Sequence, residues 1–188
     1  MKVLHIDSGI FVEGSVSRRL SADVIARLKE QQPEIDVTYR DLVVNPVPHL
    51  QAEELLAEDK PLITQLIGEL KAADVIVLGA PMYNFTIPTQ LKAWFDRVLQ
   101  AGVTFRYTDN GPQGLLHGKK AYIASGRGGV YSSGDAAGLD HQEAYLKTVL
   151  GFIGITDVQV VRAEGLNMGD EARTEGLANA QSQIADLA

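Results

Sequence analysis

One segment constrains this chain more than any other: Val75-Ile76-Val77-Leu78-Gly79-Ala80-Pro81-Met82-Tyr83-Asn84-Phe85-Thr86-Ile87-Pro88. Its first five residues form an apolar run without polar alternation, which reads as a strand covered on both faces. Pro81 and Pro88 then bracket a short loop rich in aromatic and amide groups. Helical spacing begins at Thr89, with Leu91, Trp94, Phe95, Val98 and Leu99 on one face. Open α/β sheets bind ligands at the carboxyl ends of their strands. The loop between the two prolines is therefore expected at a ligand edge.

The rest of the chain alternates in the same way. Strands are expected at Lys2–Ile6, Ile35–Tyr39, Val75–Gly79, Lys119–Ala124 and Thr156–Ala163. Helices are expected at Ser17–Gln31, Gln51–Leu56, Pro61–Ala73, Thr89–Gln100, His141–Phe152 and Asp170–Leu187. Residues 102–118, with turn signals at Asn110-Gly111 and Gly114, read as a loop carrying a short extended segment outside the main sheet. Asp41–His49 and Gly134–Gly138 read as loops. Five strands interleaved with helices predict an α/β domain with a parallel sheet covered on both faces. The expected architecture is a flavodoxin-like three-layer sandwich, strand order 2-1-3-4-5, forming one domain over residues 1–188.

Composition narrows the function. The chain has 188 residues and 45% hydrophobic content, enough for one substantial core. It has no cysteine, so thiol catalysis, disulfides and thiolate metal sites are excluded. A net charge of −7 argues against nucleic acid or an anionic membrane as the partner. The apolar run near Met1 is too short for a signal peptide, and no stretch approaches the roughly 20 residues that span a bilayer. A cytoplasmic protein is expected.

Three unusual loops fall after the first, third and fourth strands, on one sheet edge. The first, Asp7-Ser8-Gly9 through Ser15-Val16-Ser17, leads into a helix whose unpaired N–H groups favour an anion. It lacks Gly-Lys-Ser/Thr and G-x-G-x-x-G, so a monophosphate held by hydroxyls fits better than a triphosphate or an ordinary dinucleotide. Helix capping by Ser15 or Ser17 is the competing account. Arg18 and Arg19 read as solvated, with Arg18 placed to lend charge to a phosphate. The second loop is Met82-Tyr83-Asn84-Phe85, with core packing as the alternative. The third is Ser125-Gly126-Arg127-Gly128-Gly129, whose glycines permit close approach to a flat ligand; a flexible turn is the alternative. His5, His49, His117 and His141 are scattered without metal spacing, and no G-x-S-x-G elbow is present. Glu53-Glu54, Glu58-Asp59 and Asp96-Arg97 read as solvated helix surface.

Taken together, these motifs resemble the bacterial FMN-dependent NADH:azoreductase/quinone reductase family. The resemblance rests on Lys2-Val-Leu-His-Ile-Asp-Ser-Gly9, Ser15-Val-Ser17, Ala80-to-Pro88 with Leu91-to-Arg97, Phe105-to-Leu116 and Gly126-Arg-Gly-Gly129. It implies a flavodoxin-like fold, a homodimer, bound FMN and NADH as electron donor. It implies that Ser15, Val16 and Ser17 hold the FMN phosphate, and that Met82, Tyr83, Asn84 and Phe85 line the ribityl chain and ring. It further implies that Gly126, Arg127, Gly128 and Gly129 cover the polar edge of the ring. Two departures stand out: Gly9 occupies a position where members carry Ser, and Ser-Arg-Gly-Gly is replaced by Ser125-Gly126-Arg127-Gly128-Gly129. The implied reaction is ping-pong, two-electron reduction of quinones and azo compounds by NADH, with no catalytic side chain. A non-enzymatic FMN electron carrier is the alternative. Phe105 and Tyr107 either wall the flavin pocket or belong to an excursion that covers a sheet edge.

Overall fold

The computed structural model describes residues 1–57 and 60–187. In chain order the elements are β1 (Lys2–Asp7), α1 (Val16–Gln31), β2 (Asp36–Asp41), α2 (Ala52–Leu56), α3 (Pro61–Ala72), β3 (Val75–Gly79) and α4 (Thr89–Val98). They continue with β4 (Phe105–Thr108), β5 (Gly111–Gly114), β6 (Lys120–Gly126), α5 (Glu143–Phe152), β7 (Asp157–Ala163) and α6 (Asp170–Ala185). A 3₁₀ turn, Asp135–Leu139, precedes α5.

Five strands pair in parallel in the order β2-β1-β3-β6-β7. Counting sheet strands alone, this is the 2-1-3-4-5 order read from the sequence. Strand β3 is central and buried at every residue, which is why its sequence never alternates. Successive side chains serve opposite faces. Leu4, Ile6, Ile76 and Leu78 join the core beneath α3, α4 and α5, while Val3, Val75, Val77 and Tyr122 join the core beneath α1 and α6. Each fully buried leucine or isoleucine contributes about 1.5–3 kcal/mol.

Residues 105–114 form an antiparallel hairpin separate from the main sheet. It docks on the α5–β7 turn, where Leu116 N–H donates to Ile153 O at 2.8 Å. A Cβ on Gly114 would lie 2.1 Å from the Gly154 backbone nitrogen, so only glycine admits this approach. Phe105 is buried against Phe152, with ring centroids 4.5 Å apart. Within this chain its ring is thus packed against α5. Tyr107 is 73% exposed.

The structure corrects several surface assignments. Arg97 is fully buried and donates to Pro48 O and to both carboxylate oxygens of Glu54, at 2.9 and 2.7 Å. It fastens α2 and the preceding loop to α4. Asp96 instead pairs with Lys92, one helical turn away, at 2.5 Å. Glu53 is exposed, and the Glu58-Asp59 reading lies outside the described residues. Strands β1, β2 and β6 each run further than their apolar patterns, to Asp7, Asp41 and Gly126. Ladder hydrogen bonds involve backbone only, so a polar residue can close a strand when its side chain finds a partner. Among the described residues, no helix is long and apolar enough to cross a membrane.

Candidate functional site

The carboxyl ends of β1, β3 and β6 lie side by side, and the loops that follow them are tied to one another. Ser8 donates from both its N–H and its hydroxyl to Gly79 O, at 3.0 and 2.7 Å. Ile10 N–H donates to the Tyr83 hydroxyl at 3.0 Å, joining the first loop to the second. Met82 N–H donates to Gly126 O at 3.0 Å, joining the second to the third. A Cβ on Gly126 would lie 3.5 Å from Ser17 N, so the third loop also abuts the start of α1.

In the first loop, the hydroxyls of Ser15 and Ser17 stand 3.1 Å apart. Ser15 is the N-cap of α1, but its hydroxyl accepts the Arg18 N–H only at 3.5 Å, a weak cap. The first turn carries no acidic side chain, so the positive end of the helix dipole has no protein counter-charge there. Gly9 closes this cradle: a Cβ at that position would sit 2.9 Å from Ser15 Oγ and 3.1 Å from Ser17 Oγ.

Arg18 is not solvated. Its side chain is largely buried in ion pairs with Asp41 and, at 3.9 Å, with Asp7. Arg19 is exposed as expected. Tyr39 donates its hydroxyl to Asp7 at 3.0 Å. Ser21 donates to Asp7 at 2.7 Å and lies 2.9 Å from His5 Nε2, so His5 is a structural member of the same buried cluster. The Arg18 guanidinium, helped by the N–H groups of Val43 and Val44, outweighs burial and holds the Asp41 carboxyl down at about 2. Burial, together with Asp7 and Asp41, pushes the Tyr39 phenol up to about 12. No motif marks Tyr39 and Asp41 as partners of this loop, and Asp7 reads only as its first residue. The available signal was a carboxylate at the carboxyl end of each of two neighbouring strands.

The second loop is a tight hairpin turn. Tyr83 and Thr86 exchange backbone hydrogen bonds of 2.9 and 3.1 Å around Asn84 and Phe85. Both central residues have positive φ, 46° and 71°. Asn tolerates that conformation, whereas a bulky aromatic in it stores strain on the order of 1–3 kcal/mol. Phe85 gains little burial in return, being 43% exposed, so core packing does not account for it. It meets Tyr131 edge-on, with centroids 6.0 Å apart, and its carbonyl accepts His141 N–H at 3.0 Å. Met82 and Tyr83 are half-buried at the base of the turn.

The third loop is anchored from beneath. The fully buried Arg127 turns inward and forms ion pairs with Asp140 at 2.9 Å, Glu143 at 2.5 Å and Glu164 at 3.3 Å. Its backbone N–H donates to Ala163 O and its carbonyl accepts Leu166 N–H. Arg127 thus acts on this loop by fixing it, while Gly128 and Gly129 form its half-exposed part. Ser125 is buried and donates to Gln142 Oε1 at 2.9 Å, and Gln142 Nε2 donates to Ala80 O at 2.6 Å. Gln142, unmarked in the sequence, links the second and third loops. Gly126 does not require glycine on steric grounds, since an added Cβ would meet its neighbours at ordinary contact distance.

This edge offers a hydroxyl and helix-dipole cradle for an anion, an exposed aromatic held in a strained turn, and a glycine loop. The donor set fits a phosphorylated flavin. The Ser15–Ser17 hydroxyl pair, with the space that Gly9 leaves beside it, suits a monophosphate. Among the described residues, no cluster of metal-binding side chains is present.

Comparisons with known proteins identify the fold and its relatives. A family model described as a flavodoxin-like fold matches residues 1–188. The chain is 68% identical over 187 residues to "FMN-dependent NADH:quinone oxidoreductase 1" of Idiomarina loihiensis, covering 100% of both chains. It is 53% identical over 203 residues to the FMN-dependent NADH:quinone oxidoreductase of Azospirillum brasilense, covering 100% of this chain and 98% of that one. Among solved structures, an FMN-dependent NADH-azoreductase from Bacillus anthracis in complex with FMN superposes with a TM-score of 0.88 at 28% identity, covering 97% of this chain and 95% of that one. The family match over the whole chain and the 68% identity thus place this chain, with its parallel sheet, in the flavodoxin-like family of FMN-dependent NADH:quinone oxidoreductases.

Proposed function

We propose that residues 1–188 form a single FMN-binding domain that reduces quinones and azo compounds by two electrons from NADH, in ping-pong order. The carrying observation is that a monophosphate cradle and an exposed, strained aromatic turn share one edge, joined by the Ile10–Tyr83 hydrogen bond of 3.0 Å. The names of the relatives support the same reading and favour an enzyme over an electron carrier. The cytoplasmic setting and the homodimer are part of the proposal through the family resemblance.

In this reading, Ser15, Val16 and Ser17 hold the FMN phosphate with hydroxyl and N–H donors, beside Gly9. Met82, Tyr83, Asn84 and Phe85 line the ribityl chain and the ring, and Gly126, Gly128 and Gly129 close the ring's polar edge together with the backbone of Arg127, whose side chain turns inward. FMN bound here would supply the redox chemistry, two-electron transfer from NADH to the acceptor. The protein's share is orientation. The Tyr83–Thr86 bonds fix the turn, and the Gln142 and Arg127 networks fix its distance from the glycine loop. No side-chain nucleophile is required, and solvent at this open edge supplies substrate protons. Cleavage of an azo bond to two amines takes two such rounds.

Steady-state rates measured while NADH and a quinone are both varied test the order of events. Parallel double-reciprocal lines are expected, and intersecting lines would exclude the ping-pong scheme. Asn84→Gly separates the turn from the side chain, because glycine adopts positive φ freely. We expect an intact fold and FMN affinity weakened roughly tenfold through loss of a hydrogen-bonding amide. Unchanged affinity in a fluorescence titration would remove the Asn84 side chain from the site.

A further inference from the structure

Resting on the FMN reading, we propose that Arg18 is a positioning residue that clamps the Gly9–Ile10 peptide and thereby sets the preference for FMN over its dephosphorylated form, riboflavin. Arg18 has no donor left for a ligand. Its Nε and Nη2 donate to Gly9 O at 3.2 and 3.0 Å. The second Nη2 proton goes to Asp41 Oδ1 at 2.9 Å, and Nη1 donates to Asp41 Oδ2 at 2.5 Å and to the Tyr39 hydroxyl at 3.3 Å. Those bonds use all five N–H groups of a guanidinium.

What Arg18 grips is informative. In a trans peptide the carbonyl and the following N–H point opposite ways. Gly9 O is held by Arg18, and the N–H on the other side of that peptide, on Ile10, donates to the Tyr83 hydroxyl. The peptide is thus pinned from α1 on one side and from the aromatic loop on the other. Gly9 also lies against the cradle, where a Cβ would come within 2.9 Å of Ser15 Oγ and 3.1 Å of Ser17 Oγ, so a shift of this peptide moves one wall of the cradle. Asp41 in turn is held by the N–H groups of Val43 and Val44, at 2.9 and 3.1 Å, which makes the clamp rigid back to the end of β2. The fork geometry of arginine is essential, since a lysine keeps the charge but cannot bridge Gly9 O and Asp41 in the same way.

The test is equilibrium titration of the 188-residue chain with FMN and with riboflavin, for wild type, Arg18→Lys and Asp41→Asn. For Arg18→Lys we expect roughly tenfold weaker FMN binding with riboflavin binding unchanged within about twofold, the scale of one lost charge-assisted hydrogen bond. Asp41→Asn, which preserves shape, is expected to move the FMN-to-riboflavin ratio in the same direction by a smaller factor. Lysine restoring the wild-type ratio would show that charge alone matters, and would overturn the clamp. Equal weakening of both ligands would reduce Arg18 to general support of the fold, and an unchanged ratio in Asp41→Asn would equally refute the idea. Failure of wild type to bind FMN would instead remove the FMN reading on which the proposal rests.

Discussion

Replacing Arg127 by methionine is expected to lower the unfolding free energy by about 3–5 kcal/mol, the scale of breaking a buried ion pair from one side. The guanidinium is fully buried and faces Asp140, Glu143 and Glu164. Methionine approximates the stem but leaves those carboxylates to Arg162 and Lys147, which reach only Glu143 among them. The loss is pH-dependent. Burial raises the Asp140 carboxyl, but N–H groups of Glu143 and Gln142 and the charge of Arg127 outweigh it, so Asp140 sits below the usual range. For Glu164, burial is likewise outweighed by Ser132, Tyr131 and Arg127. A carboxylate depressed in the folded state contributes stability above its unfolded pKa and loses it as pH falls through the folded value. Wild-type stability should therefore decline on the acid side, and the variant should decline less steeply. Urea unfolding across pH reads both quantities. A loss under about 1 kcal/mol, typical of an exposed pair, would contradict the buried cluster.

Ser15→Asp is expected to separate helix capping from phosphate binding. Aspartate caps a helix as well as serine does and favours the helix dipole, so the flavin-free protein should be as stable as wild type or slightly more so. A carboxylate beside a phosphate has the opposite consequence for binding. Two like charges about 4 Å apart at an effective dielectric near 20 repel by roughly 4 kcal/mol, so FMN affinity should fall at least about 100-fold. Riboflavin, without the phosphate, should be spared. If FMN bound Ser15→Asp normally, Ser15 would be a cap and nothing more.

Much of this arrangement is written locally in the chain. The unbroken apolar run of β3 placed the Pro81–Pro88 loop at the edge, and the turn signals at Asn110-Gly111 marked the hairpin. Backbone periodicity carries that information over a few residues. The buried charges were not legible, because their partners are remote: Arg18 meets Asp41 23 positions away, Arg97 meets Glu54 43 positions away, and Arg127 meets Glu164 37 positions away. A local pattern shows a charge and predicts water around it, whereas only the folded sheet brings the counter-charge into reach. The left-handed pair Asn84–Phe85 was hidden for a related reason. No glycine announces it, and a phenylalanine at positive φ is held there by the Tyr83–Thr86 hydrogen bonds and the His141 contact to its carbonyl.

Everything above turns on whether this three-loop edge holds FMN and takes electrons from NADH. Anaerobic stopped-flow mixing of the purified FMN-loaded protein with NADH tests it most directly. Rapid bleaching of the flavin's visible absorption is expected, followed by full recovery when a quinone is added in a second mix. An FMN-loaded protein whose flavin absorption NADH left unchanged would contradict it.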